Sequence, residues 1–173
     1  AKELKLDFIE FIFDYNDAEQ NPLLIRSGIK EITSLSKLND VEVRTICADY
    51  FMEAPLHSYN QKIATKSQQI LQNLVRNSKR IGVTDIIIPC VDQASIIDKK
   101  ASDRFVRGLT PLLKTAEELN INFALETDLS PQSFSNLLDR FQSENISVNY
   151  DIGNSASLGY NPSEEFDAYG HKI

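Results

Sequence analysis

Two acids close successive apolar runs of the chain. Glu126 ends Asn122 to Glu126 (NFALE), and Asp151 lies near the end of Ser147 to Ile152 (SVNYDI). A hard divalent cation needs several carboxylate oxygens converging at about 2.0–2.2 Å. Neighbouring strand tips of a parallel sheet bring such oxygens together, so Glu126 and Asp151 are the leading candidate metal ligands. The plainer reading is that each caps a following helix, although Asp128 and Ser130 are better placed for that work.

Other groups stand at the ends of apolar runs. Glu10 follows a strand alternation that can point it inward to orient a substrate, or it is a satisfied structural carboxylate. His57, after Pro55-Leu56, either lines the mouth of a site as an acid–base or is a solvated loop histidine, the plainer of the two. Asp92 and Asp49 can hydrogen-bond sugar hydroxyls, but loops also use aspartate for turns. Cys47 and Cys90 lie in apolar runs and read as core thiols, and His171 as solvated.

The elements that must position these groups alternate. Phe8 to Phe13, Val41 to Ala48, Asp85 to Val91, Asn122 to Glu126 and Ser147 to Ile152 read as buried strands, apolar and bounded by polar turn residues. Helical stripes lie between them: Ile25, Ile29, Ile32, Leu35; Ile63, Ile70, Leu71, Leu74, Val75; Phe105 to Leu119; and Phe134, Leu137, Leu138, Phe141. Asn21-Pro22, Ser130-Pro131 and Asn161-Pro162 predict helix starts, and Gly82 a stop. Gly108 and Pro111 predict a kink or break in the third stripe.

Such alternation means α/β architecture with a parallel sheet under helices. Two arrangements fit: a five-stranded open doubly wound sheet, or an incomplete (β/α)8 barrel of TIM type. The length of 173 residues favours the first, since barrels typically take about 250. The ends favour the second. Ala1 to Leu4 reads as the last turn of a helix entering a strand, and Asn161 to Ile173 opens a helix with no strand after it. Residues 1–173 are expected to form a single partial domain.

Composition narrows the partners. A net charge of −7 opposes binding to nucleic acid or an anionic membrane. Two cysteines are too few for a disulfide scaffold, which points to a reducing, cytoplasmic protein. No apolar run is long enough to span a bilayer, and the first residues do not read as a signal peptide. The six glycines form neither G-x-G-x-x-G nor a P-loop, removing the usual dinucleotide and nucleotide readings.

The segments LDFIEFIFD, ICADYFM, IIIPCVD, INFALETD and VNYDIGNSASLGY resemble the xylose-isomerase-like barrel superfamily, in its sugar phosphate isomerase/epimerase branch. The resemblance spans essentially the whole chain, and ALETD followed by YDIGN is its more specific part. It implies a divalent metal (Mn, Mg or Zn) held by Glu, Asp, His and Glu on four successive strands, the first two matching Glu126 and Asp151. It also implies that Glu126 is one of two acid–base carboxylates moving a proton beside a carbonyl, through an enediolate stabilised by the metal as Lewis acid. The D-x-x-H of many relatives reads Asp151-Ile152-Gly153-Asn154 here, so Asn154 replaces a substrate-contacting histidine. The remaining histidine and glutamate would lie on strands after Ile173, so weak metal binding and little activity are expected of these 173 residues alone.

The resemblance thus implies an isomerase or epimerase of a ketose or ketose phosphate, with a small sugar as partner and homo-oligomers common among its relatives. Two rivals stand beside it. An abasic-site endonuclease of the same superfamily needs a three-zinc, histidine-rich site, and this chain has two histidines. A non-catalytic sugar-binding or assembly domain needs no metal at all.

Overall fold

The apolar runs form five strands in the computed structural model, which describes residues 1–173: β1 (Phe8–Ile12), β2 (Glu42–Cys47), β3 (Asp85–Cys90), β4 (Asn122–Thr127) and β5 (Ile146–Val148). Every neighbouring pair is parallel, and the order is β1-β2-β3-β4-β5. A doubly wound sheet reverses its strand order at a switch point. This sheet adds each strand on the same side, as a barrel wall does, and the open-sheet alternative is thereby excluded.

Five helices join the strands, α1 (Arg26–Asn39), α2 (Tyr50–Glu53), α3 (Gln61–Ile81), α4 (Lys99–Leu119) and α5 (Pro131–Leu138), and two follow β5, α6 (Ile152–Leu158) and α7 (Pro162–Tyr169). One side of the sheet meets them. Ile46, Ile86, Ile88, Cys90, Phe123, Leu125, Ile146 and Val148 pack with Ile70, Leu71 and Leu74 of α3, Phe105 and Leu109 of α4, and Phe134 and Leu137 of α5 in one apolar cluster. No helix is long and apolar enough to cross a membrane.

Side chains alternate along a strand, so the residues between these face the other way, toward what is the inside of a barrel. The β1–β2 register slips by one residue at Arg44, pairing Ile9 with Val43 but Glu10 with Thr45. This bulge lets Val43 and Ile46 both join the helix-side core while Thr45 and Glu10 share the opposite face.

Several sequence expectations are corrected. The first helix starts at Arg26 rather than at Asn21-Pro22, where the Asn21 side chain accepts from the Leu23 amide in a turn. In its stripe Leu35 is exposed, and so is Ile63 in the next. The last strand ends at Val148, and Ile152 opens α6. Of the kink or break expected in the third stripe, the break does not occur: α4 runs through Pro111. An interior proline costs about 3 kcal/mol, whereas burial of Phe105, Leu109, Leu112 and Leu113 returns about 1.5–3 kcal/mol per side chain. Gly82 ends α3 with φ of 88°, and Asn161 caps α7 before Pro162, both as expected.

Candidate active site

β4 carries Glu126 on its barrel-facing side, one residue before the strand ends. The carboxylate is half-buried and held at both oxygens. Asn149 Nδ2, just past β5, donates to Oε2 at 2.8 Å, and Asn154 Nδ2, in the first turn of α6, donates to Oε1 at 2.8 Å. Burial pushes the Glu126 carboxyl up, and the charges of Asp151, Asp49 and Glu10 push it further, against the lowering effect of the Asn149 amide. Three acids thus bear on Glu126: Glu10 of β1, Asp49 just past β2 and Asp151 beyond β5. None of them is in a salt bridge.

Asp151 is the N-cap of α6, its Oδ1 accepting from the Asn154 backbone N–H at 2.9 Å. Of the two residues the sequence favoured for capping, Ser130 is the N-cap of α5 before Pro131, without a side-chain bond to the helix backbone, and Asp128 caps no helix. Asp128 accepts from the Ser95 hydroxyl, and the Ser130 hydroxyl donates to Ser133 Oγ at 2.8 Å. Capping occupies one Asp151 oxygen, and a carboxylate offers about four lone-pair directions over two oxygens. Capping and ligation are therefore compatible in Asp151.

The remaining candidates divide. Glu10 lies on the same face and accepts from Thr45 Oγ1 at 2.6 Å. Cys47 donates its thiol to Asp49 Oδ1 at 3.1 Å; burial first, then Asp49, raises its thiol well above the usual range, as burial does for Cys90. Neither cysteine is an activated nucleophile. Asp92 is exposed beyond β3, in a left-handed conformation that opens a turn. His171 is exposed.

His57 corrects the solvated-loop reading. It is 6 % exposed, its ring meets the edge of Phe105 at 5.9 Å, and its Nδ1 is buried without a partner. Burial lowers its pKa from the ordinary value. The ring belongs to the joint between the loop after β2 and α4.

Asn149 escaped the sequence reading, although its alternation with Asp151 in VNYDI carried the signal. No group of three or more His, Cys, Asp or Glu side chains gathers to hold a metal. Glu126 and Asp151 are hard oxygen donors of the type that suits a divalent cation, with lone pairs left over and no lysine or arginine in salt-bridge contact. They fit a cation as two of its ligands, not as a complete set.

A family model described as xylose isomerase-like TIM barrel matches residues 1–173. Among solved structures, a D-tagatose 3-epimerase-like protein is similar at TM-score 0.76 and 17 % identity, covering 96 % of this chain and 63 % of its own. An L-ribulose 3-epimerase is similar at 0.78 and 14 %, covering 99 % and 59 %. The IOLI protein with a bound zinc atom is similar at 0.77 and 18 %, covering 99 % and 62 %. At these identities the likeness establishes the fold, and the chain spans about three fifths of each structure's length. No curated protein matches the sequence.

Proposed function

This chain belongs to the xylose isomerase-like TIM barrel family, and from that premise we propose that it forms part of a divalent-metal-dependent isomerase or epimerase of a ketose or ketose phosphate. The observation that carries the reading is Glu126: a half-buried carboxylate at a strand tip, held at both oxygens by neutral amides and grouped with Asp151, Asp49 and Glu10 without a cation.

In this reading Glu126 and Asp151 hold the cation, whose chemistry when bound is to polarise a substrate carbonyl. Glu126 takes or returns the proton on the carbon beside that carbonyl. Its raised carboxyl pKa brings it closer to operating pH, where a general base works best. Asn149 and Asn154 fix its plane without supplying a proton, because amides do not titrate. Glu10, Asp92 and Asn154 are assigned to sugar hydroxyls at the rim. His57, turned into α4, takes no part. The free thiols of Cys47 and Cys90 suit a cytoplasmic, reducing setting.

The test is proton exchange. The protein carrying this sequence is incubated in D2O with Mn2+ and a panel of free and phosphorylated ketoses, and deuterium entry beside the carbonyl is followed by NMR. The reading predicts metal-dependent entry with at least one ketose and loss of about a hundredfold or more in Glu126→Gln, within the usual range for an acid–base group. Tight sugar binding with no exchange would favour the non-catalytic sugar-binding domain instead.

A further inference from the structure

Glu165 of α7 is 1 % exposed, the most deeply buried ionisable acid in the protein, and it has no cationic partner. Three hydroxyls surround it. Tyr150 OH donates to Oε2 at 2.8 Å, and Ser155 Oγ and Tyr169 OH donate to Oε1 at 2.7 and 2.8 Å. Burial, with the Glu165 hydrogen bond next, raises the Tyr169 hydroxyl, so that group stays a donor.

The origin of the donors gives the arrangement its meaning. Tyr150 stands between Asn149, which holds Glu126 Oε2, and Asp151, the second candidate ligand. Ser155 directly follows Asn154, which holds Glu126 Oε1. Along an extended segment neighbouring side chains point to opposite faces. Asn149 can therefore face the site while Tyr150 faces α7, where its ring meets Phe166 at 5.3 Å. One buried carboxylate thus ties down, from behind, both segments that grip Glu126 from the front.

Stability alone does not call for an acid here. Burying a carboxylate is costly until its hydrogen bonds offset the lost hydration, and an apolar side chain would pack the same space. A hydrogen-bonded node fixes distance and direction, which apolar packing does not. We infer that Glu165 is a positioning residue for the Glu126 site, acting through Tyr150 and Ser155 on the Asn149 and Asn154 amides. This rests on the proposed role of Glu126.

The experiment uses metal-free, 15N-labelled protein and follows hydrogen exchange of the Asn149 and Asn154 side-chain amides in wild type and Glu165→Gln. Gln keeps the shape but replaces one acceptor oxygen with a donor. The inference predicts exchange of both amides about tenfold faster, the scale of local opening, with backbone protection in β3 and β4 unchanged. Unchanged side-chain exchange, in a variant that unfolds at lower temperature, would show that Glu165 only fastens α7 and would overturn the inference. Should Glu165→Gln fail to fold, Tyr150→Phe with Ser155→Ala removes the two site-side donors and leaves the acid, and the same amide readout decides. Because no metal is present, the outcome is independent of whether the protein binds Mn2+ or turns over a ketose.

Discussion

Asn154 joins the two candidate ligands within one residue: its side-chain amide donates to Glu126 Oε1 at 2.8 Å, and its backbone amide donates to Asp151 Oδ1 at 2.9 Å. The first turn of α6 is therefore the common frame of both acids. A shift of that turn moves them together.

Removing the side-chain half of this link leaves Glu126 Oε1 half-buried without a donor. Asn154→Ala is expected to cost about 1–3 kcal/mol in urea unfolding, the range for an orphaned buried acceptor. Asn154→Asp costs more near neutral pH, because it sets a like charge against Glu126.

Asp151 has two roles that substitution can separate. Asparagine caps a helix about as well as aspartate, so Asp151→Asn keeps the unfolding midpoint nearly unchanged while weakening Mn2+ binding in calorimetry. Asp151→Ala loses both, with about 1 kcal/mol of stability gone with the cap.

Gly28 shows why helix propensity is a weak guide inside a packed fold. Alanine is favoured over glycine in a helix by about 1 kcal/mol, yet a Cβ here would stand 2.4 Å from the Pro22 Cα and carbonyl oxygen. Both are backbone and cannot swing aside. Gly28→Ala is expected to destabilise by about 1–3 kcal/mol, as overpacking does, measured by thermal or urea unfolding.

His57 supplies a pH dependence whose sign follows from its burial. Its folded pKa lies below the ordinary 6.5. Between the two values the unfolded chain binds a proton that the folded chain does not, so stability falls as pH drops below about 6.5. The slope is at most about 1.4 kcal/mol per pH unit. Urea unfolding from pH 8 to pH 5 should show wild type losing stability relative to His57→Gln on the acid side, with a constant difference above pH 7.

The sheet was readable in the sequence because each strand is a short apolar run with a polar boundary. Glu126 and Asp151 stood out because they close two successive runs, where neighbouring strand tips of a parallel sheet bring side chains together. What escaped depended on contacts distant in sequence. VNYDI alternates like a strand, but the Asp151 side chain accepts an α6 amide and ends the extended segment. His57 looked solvated because nothing beside it reveals Phe105. Glu165 resembles any acid in a helix's first turn, where it complements the dipole. Only the fold brings Tyr150, Ser155 and Tyr169 around it.

The proposed gathering of a divalent cation by Glu126 near the end of β4 and Asp151 at the start of α6 is tested most directly by paramagnetic broadening by Mn2+ in an 15N correlation spectrum. The account predicts that substoichiometric Mn2+ broadens residues 126–128 and 149–154 first and that Glu126→Gln removes the effect. Broadening centred elsewhere on the acidic surface, or broadening that survives in Glu126→Gln, would contradict it.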